Sequence, residues 1–146
     1  MEYNAIVGKS VGKYSMFSEL ATKVSDNGRR RVLLKDFTYE NDKYRITVKA
    51  GFSTDGASIP RVMWSVISSP FYGPIIYGAI VHDGLYTAMK LSRKESDELL
   101  KEMTLESGYS KVKAELVYNA VRAFGGSHWS KDTTDKKDLV IIEEKK

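Results

Sequence analysis

The sequence predicts an α+β fold in which an antiparallel β-hairpin or small sheet packs on about three α-helices. Three observations carry that expectation. Residues 31–50 run with the period of a half-buried strand pair, helical periodicity takes over after Pro60, and serine caps and glycine stops bracket the later segments.

A chain of 146 residues is the size of one domain. Residues 1–130 are read as that single domain, and residues 131–146 as a charged C-terminal tail that could add an edge strand. No cysteine is present, which removes disulfides, thiolate metal sites and cysteine nucleophiles together. Any metal would be held by oxygen and imidazole. The 23 basic and 19 acidic residues leave a net charge of +4, a mixed surface rather than a polycation, which argues against nucleic acid as a partner. The start Met1-Glu2-Tyr3 carries an acid where a secretory signal carries positive charge, so no signal peptide is expected. The most apolar stretch, Val62 to Met89, is interrupted by Pro70, Gly73, Pro74 and Gly78 and reaches His82 and Asp83, so it reads as core and not as a transmembrane segment.

Taken in order, Tyr3 to Val7 could form a short strand and Met16 to Val24 a helical turn or two, bounded by Asp26-Asn27-Gly28. Arg31 to Tyr39 is rich in strand formers. Glu40-Asn41-Asp42-Lys43 supplies turn chemistry, and Tyr44, Ile46, Val48 and Ala50 then alternate with Arg45, Thr47 and Lys49. That pair is expected to be an antiparallel hairpin with one wet face. Pro74 suits the first turn of a helix running to about Lys90, apolar nearly all round and therefore buried. Ser92-Arg93-Lys94-Glu95 is a capping box ahead of Leu99, Leu100 and Met103. Ser110 caps a third helix carrying Val112, Leu116, Val117, Ala120, Val121 and Phe124, stopped by Gly125-Gly126. In the tail, Leu139-Val140-Ile141-Ile142 either adds an edge strand or stays loose.

Chemistry-bearing residues gather in two places. Gly51–Pro60 is small, polar and glycine-bearing just where a strand ends, so Thr54, Asp55 and Ser58 either serve a site or bond nearby backbone at a helix entrance. His82 and Asp83 interrupt an apolar helix. Burying even a neutral polar group without a partner costs roughly 2–7 kcal/mol, so partners must lie close. Tyr86 follows one turn later. Asp97, on the flank of the next helix, either faces His82 across a helical hairpin or pairs with Lys94 or Lys101 at the surface. His128 reads as a loop histidine. No Gly-x-Ser-x-Gly elbow, phosphate loop or His-Glu-x-x-His is present.

Four blocks in order, Gly51–Pro60, His82-Asp83-Gly84-Leu85-Tyr86, Arg93–Asp97 and Tyr118–Gly125, resemble the Domain of Unknown Function 1353 family over roughly residues 45–130. Members occur widely in tailed bacteriophages and prophages, so the resemblance implies a phage protein of the host bacterial cytoplasm or the virion. It implies no activity. His82-Asp83-x-x-Tyr86 with Asp97 on the following helix also resembles the phospholipase A2 group. That likeness implies His82 as the base for a water, Asp97 as its orienter, Asp83 as a calcium ligand and Tyr86 as a support. The glycine-rich calcium loop of that group has no counterpart, and Asp55 would have to stand in for it.

Three functions follow as expectations. One is a hydrolase-like site with His82 and Asp97 catalytic, Asp55 and Asp83 holding a divalent cation (calcium or zinc), and Thr54, Ser58 and Tyr86 in support. Its target would be an ester or amide of the host envelope. A second is a non-enzymatic virion component or host-protein-binding factor in which the cluster is structural, and a third is a small-ligand module without turnover. A hydrolase needs a cleft open to solvent, whereas a binding factor predicts a closed polar cluster.

Overall fold

Side-chain alternation sets the register of the sheets. The computed structural model describes residues 6–10, 13–56, 58–67, 73–129 and 136–145. Its strands are β1 (Ile6–Ser10), β2 (Lys13–Phe17), β3 (Thr22–Val24), β4 (Arg31–Leu33), β5 (Phe37–Asn41), β6 (Tyr44–Val48), β7 (Ser53–Thr54) and β8 (Val140–Glu144). They form a five-stranded sheet in the order β1-β2-β5-β6-β8 and a three-stranded sheet β3-β4-β7, with antiparallel neighbours throughout. Phe37, Tyr39, Tyr44, Ile46 and Val48 are buried, all on the inward parity of the β5–β6 hairpin. Asn41 closes its turn, its Oδ1 accepting from the amides of Lys43 (2.8 Å) and Tyr44 (2.7 Å).

Two expectations are corrected here. Met16 to Val24 is not helical: Met16 and Phe17 end β2, residues 18–21 are irregular, and Thr22–Val24 pairs with β4. Tertiary pairing overrides local preference, because Phe17 opposite Tyr39 buries its ring 4.9 Å from Tyr39 and 6.0 Å from Phe37. Nor is Arg31–Tyr39 one strand. The chain bends at Leu34-Lys35-Asp36, where Asp36 Oδ1 accepts from the Ala50 amide at 2.9 Å, so β4 joins one sheet and β5 the other. Of the short strand expected over Tyr3 to Val7, Ile6 and Val7 lie in β1 and the rest falls outside the described residues.

The helical part begins with a 3-10 turn (Arg61–Met63) running into α1 (Trp64–Ile67). It continues through α2 (Ile75–Ala88), α3 (Arg93–Glu106) and α4 (Lys111–Phe124), and a second 3-10 turn (Gly125–His128) follows the double glycine. Ser92 Oγ accepts from the Glu95 amide at 3.0 Å and Ser110 Oγ from the Lys113 amide at 3.1 Å, so both caps form. Only half of the capping box is made, because the Glu95 carboxylate takes the Tyr44 hydroxyl and Lys43 instead of reaching back. That diversion ties α3 to the β5–β6 turn.

Central α2 presses against the sheet on one side and α3 on the other. A Cβ at Gly84 would lie 3.2 Å from Val48 Cγ2, and one at Gly78 3.2 Å from Met103 Cβ, so glycine permits both close approaches. On α4 only Ala114, Val117, Ala120 and Val121 are buried, while Val112, Leu116 and Phe124 are exposed. With α3 on one side, α4 covers a narrower stripe than its composition suggests. At the other end of the chain, Val140 is fully buried opposite Val48 on the sheet edge. Burying a valine contributes about 1.5–3 kcal/mol. Among the described residues no helix is long and apolar enough to cross a membrane.

Candidate functional site

Where three helices meet the loop after β7, a row of polar side chains runs through the apolar interior. His82 and Tyr86 lie one turn apart on α2, with ring centroids 4.4 Å apart, and both point away from the sheet toward α3. The Ser92 cap starts α3 at Arg93, and Asp97 falls on the turn facing them. His82 Nε2 stands 2.8 Å from Asp97 Oδ1, Tyr86 donates to the same oxygen at 2.7 Å, and Arg122 Nη1 of α4 donates to Oδ2 at 2.8 Å. Arg93 holds the frame. Its Nε donates to the Tyr86 hydroxyl at 3.1 Å and its Nη2 to the carbonyls of Val121 (2.7 Å) and Arg122 (2.8 Å), near the end of α4. Gly125 leaves room for this corner, since a Cβ there would meet the Tyr86 hydroxyl at 2.8 Å.

The loop supplies the other half. Gly56 takes φ +75°, its amide donates to Thr54 Oγ1 at 3.0 Å, and Ile59 N donates to Gly56 O at 3.2 Å. This fold turns Ser58 inward, where Oγ lies 3.0 Å from His82 Nδ1. Asp83, partly buried, bonds the side chains of Thr54 and Ser58. A continuous row Asp83–Ser58–His82–Asp97 results. Ser58 is 1% exposed and His82 and Asp97 are 0% exposed, so the row is closed along most of its length.

Its proton inventory follows from donor and acceptor chemistry. An ionised Asp97 can only accept, so His82 Nε2 carries a proton and, in the neutral ring, Nδ1 accepts from Ser58. Ser58 has one hydroxyl proton and two acceptors, Nδ1 and the Asp83 carboxylate. Rotation of that hydroxyl therefore switches its donation from one acceptor to the other. The two carboxyls sit in opposite environments. Burial works to raise Asp97, but the bonds from His82 and Tyr86, with Arg122 beyond, outweigh it and hold the group below its ordinary value. Burial raises Asp83, and the charge of Asp55 adds to it against the Thr54 bond. Burial first, and then the bond to Asp97, pushes the Tyr86 hydroxyl up.

His82, Asp97, Tyr86, Ser58, Asp83 and Thr54 thus come together. The surface alternative for Asp97 is overturned: the side chain is buried and bonded to Arg122, while Lys101 pairs with Glu115. Asp55 stands outside the row, exposed and 3.5 Å from Arg30 Nη1. It lines a surface cleft with His128. Among the described residues no group of three or more His, Asp or Glu side chains could hold a metal. Asp55 and Asp83 alone are a short donor set for calcium, which takes 6–8 oxygens, or for zinc, which takes four ligands. Sequence reasoning missed Arg93 and Arg122 as members. The available signal was the buried carboxylate itself, which demands a cation or several donors.

Comparison with known proteins places similarity over this same region. The family model described as "Protein of unknown function (DUF1353)" matches residues 31–121, from β4 to one residue short of Arg122. Two proteins of Sinorhizobium fredii are similar. "Uncharacterized protein y4iH" is 38% identical over 72 residues, covering 49% of this chain and 30% of that protein. "Uncharacterized protein y4jT" is 28% identical over 108 residues, covering 73% of this chain and 32% of that protein. The matched stretches make up less than a third of either relative. No solved structure matches the chain significantly.

Proposed function

The chain belongs to the DUF1353 family, and from that premise and the geometry above we propose that it is a hydrolase-type enzyme acting on an ester or amide. One observation carries the reading: Ser58 Oγ, the His82 ring and the Asp97 carboxylate stand in a row at 3.0 and 2.8 Å. Recognition of such a row rests on geometry and roles rather than on sequence order. His82 accepts the Ser58 proton at Nδ1 as the serine oxygen attacks a carbonyl, returns it to the departing alcohol or amine as that bond breaks, and then takes a proton from the water that cleaves the acyl-serine. Asp97, kept ionised by Tyr86 and Arg122, holds Nε2–H and stabilises the imidazolium. Because His82 is sealed from solvent, it acts through Ser58. Asp83 lies on the far side of Ser58, its carboxyl raised by burial where that of Asp97 is lowered by its donors. Substrate access requires Ser58, 1% exposed in this structure, to open to solvent while keeping its contact with His82. The phage resemblance makes a host envelope ester or amide the first substrate class to try, with the host cytoplasm or virion as the setting.

Labelling with a fluorophosphonate and hydrolysis of p-nitrophenyl esters test this directly. Ser58→Ala, His82→Ala and Asp97→Asn should each abolish turnover, and double variants should lose little more, because residues acting as a unit are non-additive. Undiminished turnover in Ser58→Ala would remove it as nucleophile. The near-complete burial of Ser58, His82 and Asp97 favours a second reading, a virion component or host-protein-binding factor in which the row clamps the loop to the helices. Folded, soluble protein with no labelling and no turnover on any ester or amide would select it.

A further inference from the structure

Beside the buried row, on the outer side of the same loop, the β3–β4 turn, the Arg61–Met63 turn and its continuation into α1, and the Gly125–His128 turn line a cleft of about 650 Å³. Small-molecule sites run from roughly 300 to 1,000 Å³, so the volume is that of a ligand pocket. We propose that this cleft binds a small ligand carrying an anionic oxygen group, phosphoryl or carboxylate, on an apolar body. Arg29 and Arg61 line it and make no ion pair among the described residues. Asp55 is the one carboxylate among the lining residues, and Arg30 already engages it at 3.5 Å. The lining is therefore short of negative charge, and His128 adds a further donor.

The apolar half comes from Ile59, Pro60 and Trp64. Trp64 is fixed twice over, its Nε1 donating to Ile59 O at 3.1 Å and its ring lying 4.8 Å from the Arg61 guanidinium carbon. A ring held in place ahead of binding loses little freedom when a ligand arrives. Guanidiniums match both carboxylate and phosphate geometry, which is why both oxyanions belong to the expected class. Ile59 follows Ser58 directly, so a seated ligand would touch the segment whose inner side closes the row. The inference requires no turnover and stands apart from the hydrolase reading. A second hollow, between the β5–β6 turn and α3, sets Asp42, Glu95, Glu98 and Glu102 against Lys43, so its lining is net negative and disfavours an anion.

Titration of 15N-labelled protein, reading the Trp64 indole N–H signal assigned with Trp129→Phe, tests the inference with four probes: phenyl phosphate, benzoate, phenol and inorganic phosphate. Phenyl phosphate, benzoate or both should shift the Trp64 signal saturably, at least tenfold tighter than phenol or inorganic phosphate. Whichever anion binds more tightly identifies the preferred oxyacid. Arg29→Gln alone and Arg29→Gln with Arg61→Gln should weaken binding progressively, to at least tenfold in the double variant, with far-UV circular dichroism unchanged. Arg45→Gln on the sheet, and Ser58→Ala, should bind as the wild type does. Loss of turnover in Ser58→Ala with binding retained separates this inference from the hydrolase reading. No saturable shift with either organic anion, phenol binding as tightly as the anions, or undiminished binding in the double variant would each overturn it.

Discussion

Asp97 and Asp83 terminate the same row, fourteen residues apart in the chain, and they show opposite behaviour. Asp97 sits among three helices with His82, Tyr86 and Arg122 bonded to it, and stays charged where burial alone would neutralise it. Asp83 meets hydroxyls rather than a cation, has Asp55 nearby, and is raised. Burial is common to both. What separates them is how many donors the surrounding elements supply, and donors are a tertiary property.

The largest effect should come from removing the charged end. Asp97→Ala leaves Arg122, His82 and Tyr86 facing a void, and breaking a buried ion pair costs about 3–5 kcal/mol, a large share of a domain's stability. Urea unfolding should show a matching fall in midpoint. A loss below about 1 kcal/mol would mean that Asp97 does not hold the helices together.

A smaller loss is expected from Gly125→Ala, whose Cβ would meet the Tyr86 hydroxyl at 2.8 Å. Overpacking of this kind costs about 1–3 kcal/mol. The same midpoint measurement reads it, and an unchanged midpoint would show that the Tyr86 corner yields without cost.

Acidity separates the two ends by sign. A carboxyl whose folded value is lowered, Asp97, contributes stability above the ordinary value of 3.8 that is lost as pH falls through its folded value. Asp83 is the reverse: its folded value is raised, the native state binds the extra proton, and stability declines as pH climbs from 3.8 toward that raised value. Asp83→Asn should therefore be close to wild type near pH 4 and gain on it as pH rises, in paired urea melts at successive pH values. A constant difference across that window would show that Asp83 is not raised.

The smallest effect concerns cations. Asp55 is engaged by Arg30 and Asp83 by hydroxyls, so calcium and zinc should leave the melting temperature unchanged. A ligand at a hundredfold excess over its dissociation constant would stabilise by about 2.7 kcal/mol, a rise of several degrees. Such a rise, lost in Asp55→Asn and Asp83→Asn, would restore the metal-dependent form of the site.

Local signals carried much of the fold. Ser92 and Ser110 mark helix starts because a side-chain oxygen satisfies an amide within three residues, and Tyr44, Ile46 and Val48 mark a strand because parity alone assigns their face. Met16 to Val24 misled, since pairing with a strand some twenty residues on leaves little local trace. Nothing in α4 says which of its apolar faces a neighbour will cover, and Val112, Leu116 and Phe124 lie exposed.

The candidate site divides along the same line. By itself the sequence determined that His82 and Asp83 needed partners, because an apolar helix cannot bury two ionisable groups alone. It left Gly51–Pro60 open between a functional loop and a turn at a helix entrance, and the structure shows Gly51 and Gly56 at positive φ there. Only the tertiary structure decided that Ser58 points at Nδ1, that Arg122 neutralises Asp97 from 25 residues away, and that Asp55 is left to the surface. Hydrogen bonds and ion pairs act over about 3 Å in space whatever the separation in the chain, so which donors reach a buried carboxylate is settled by the packing of α2, α3 and α4.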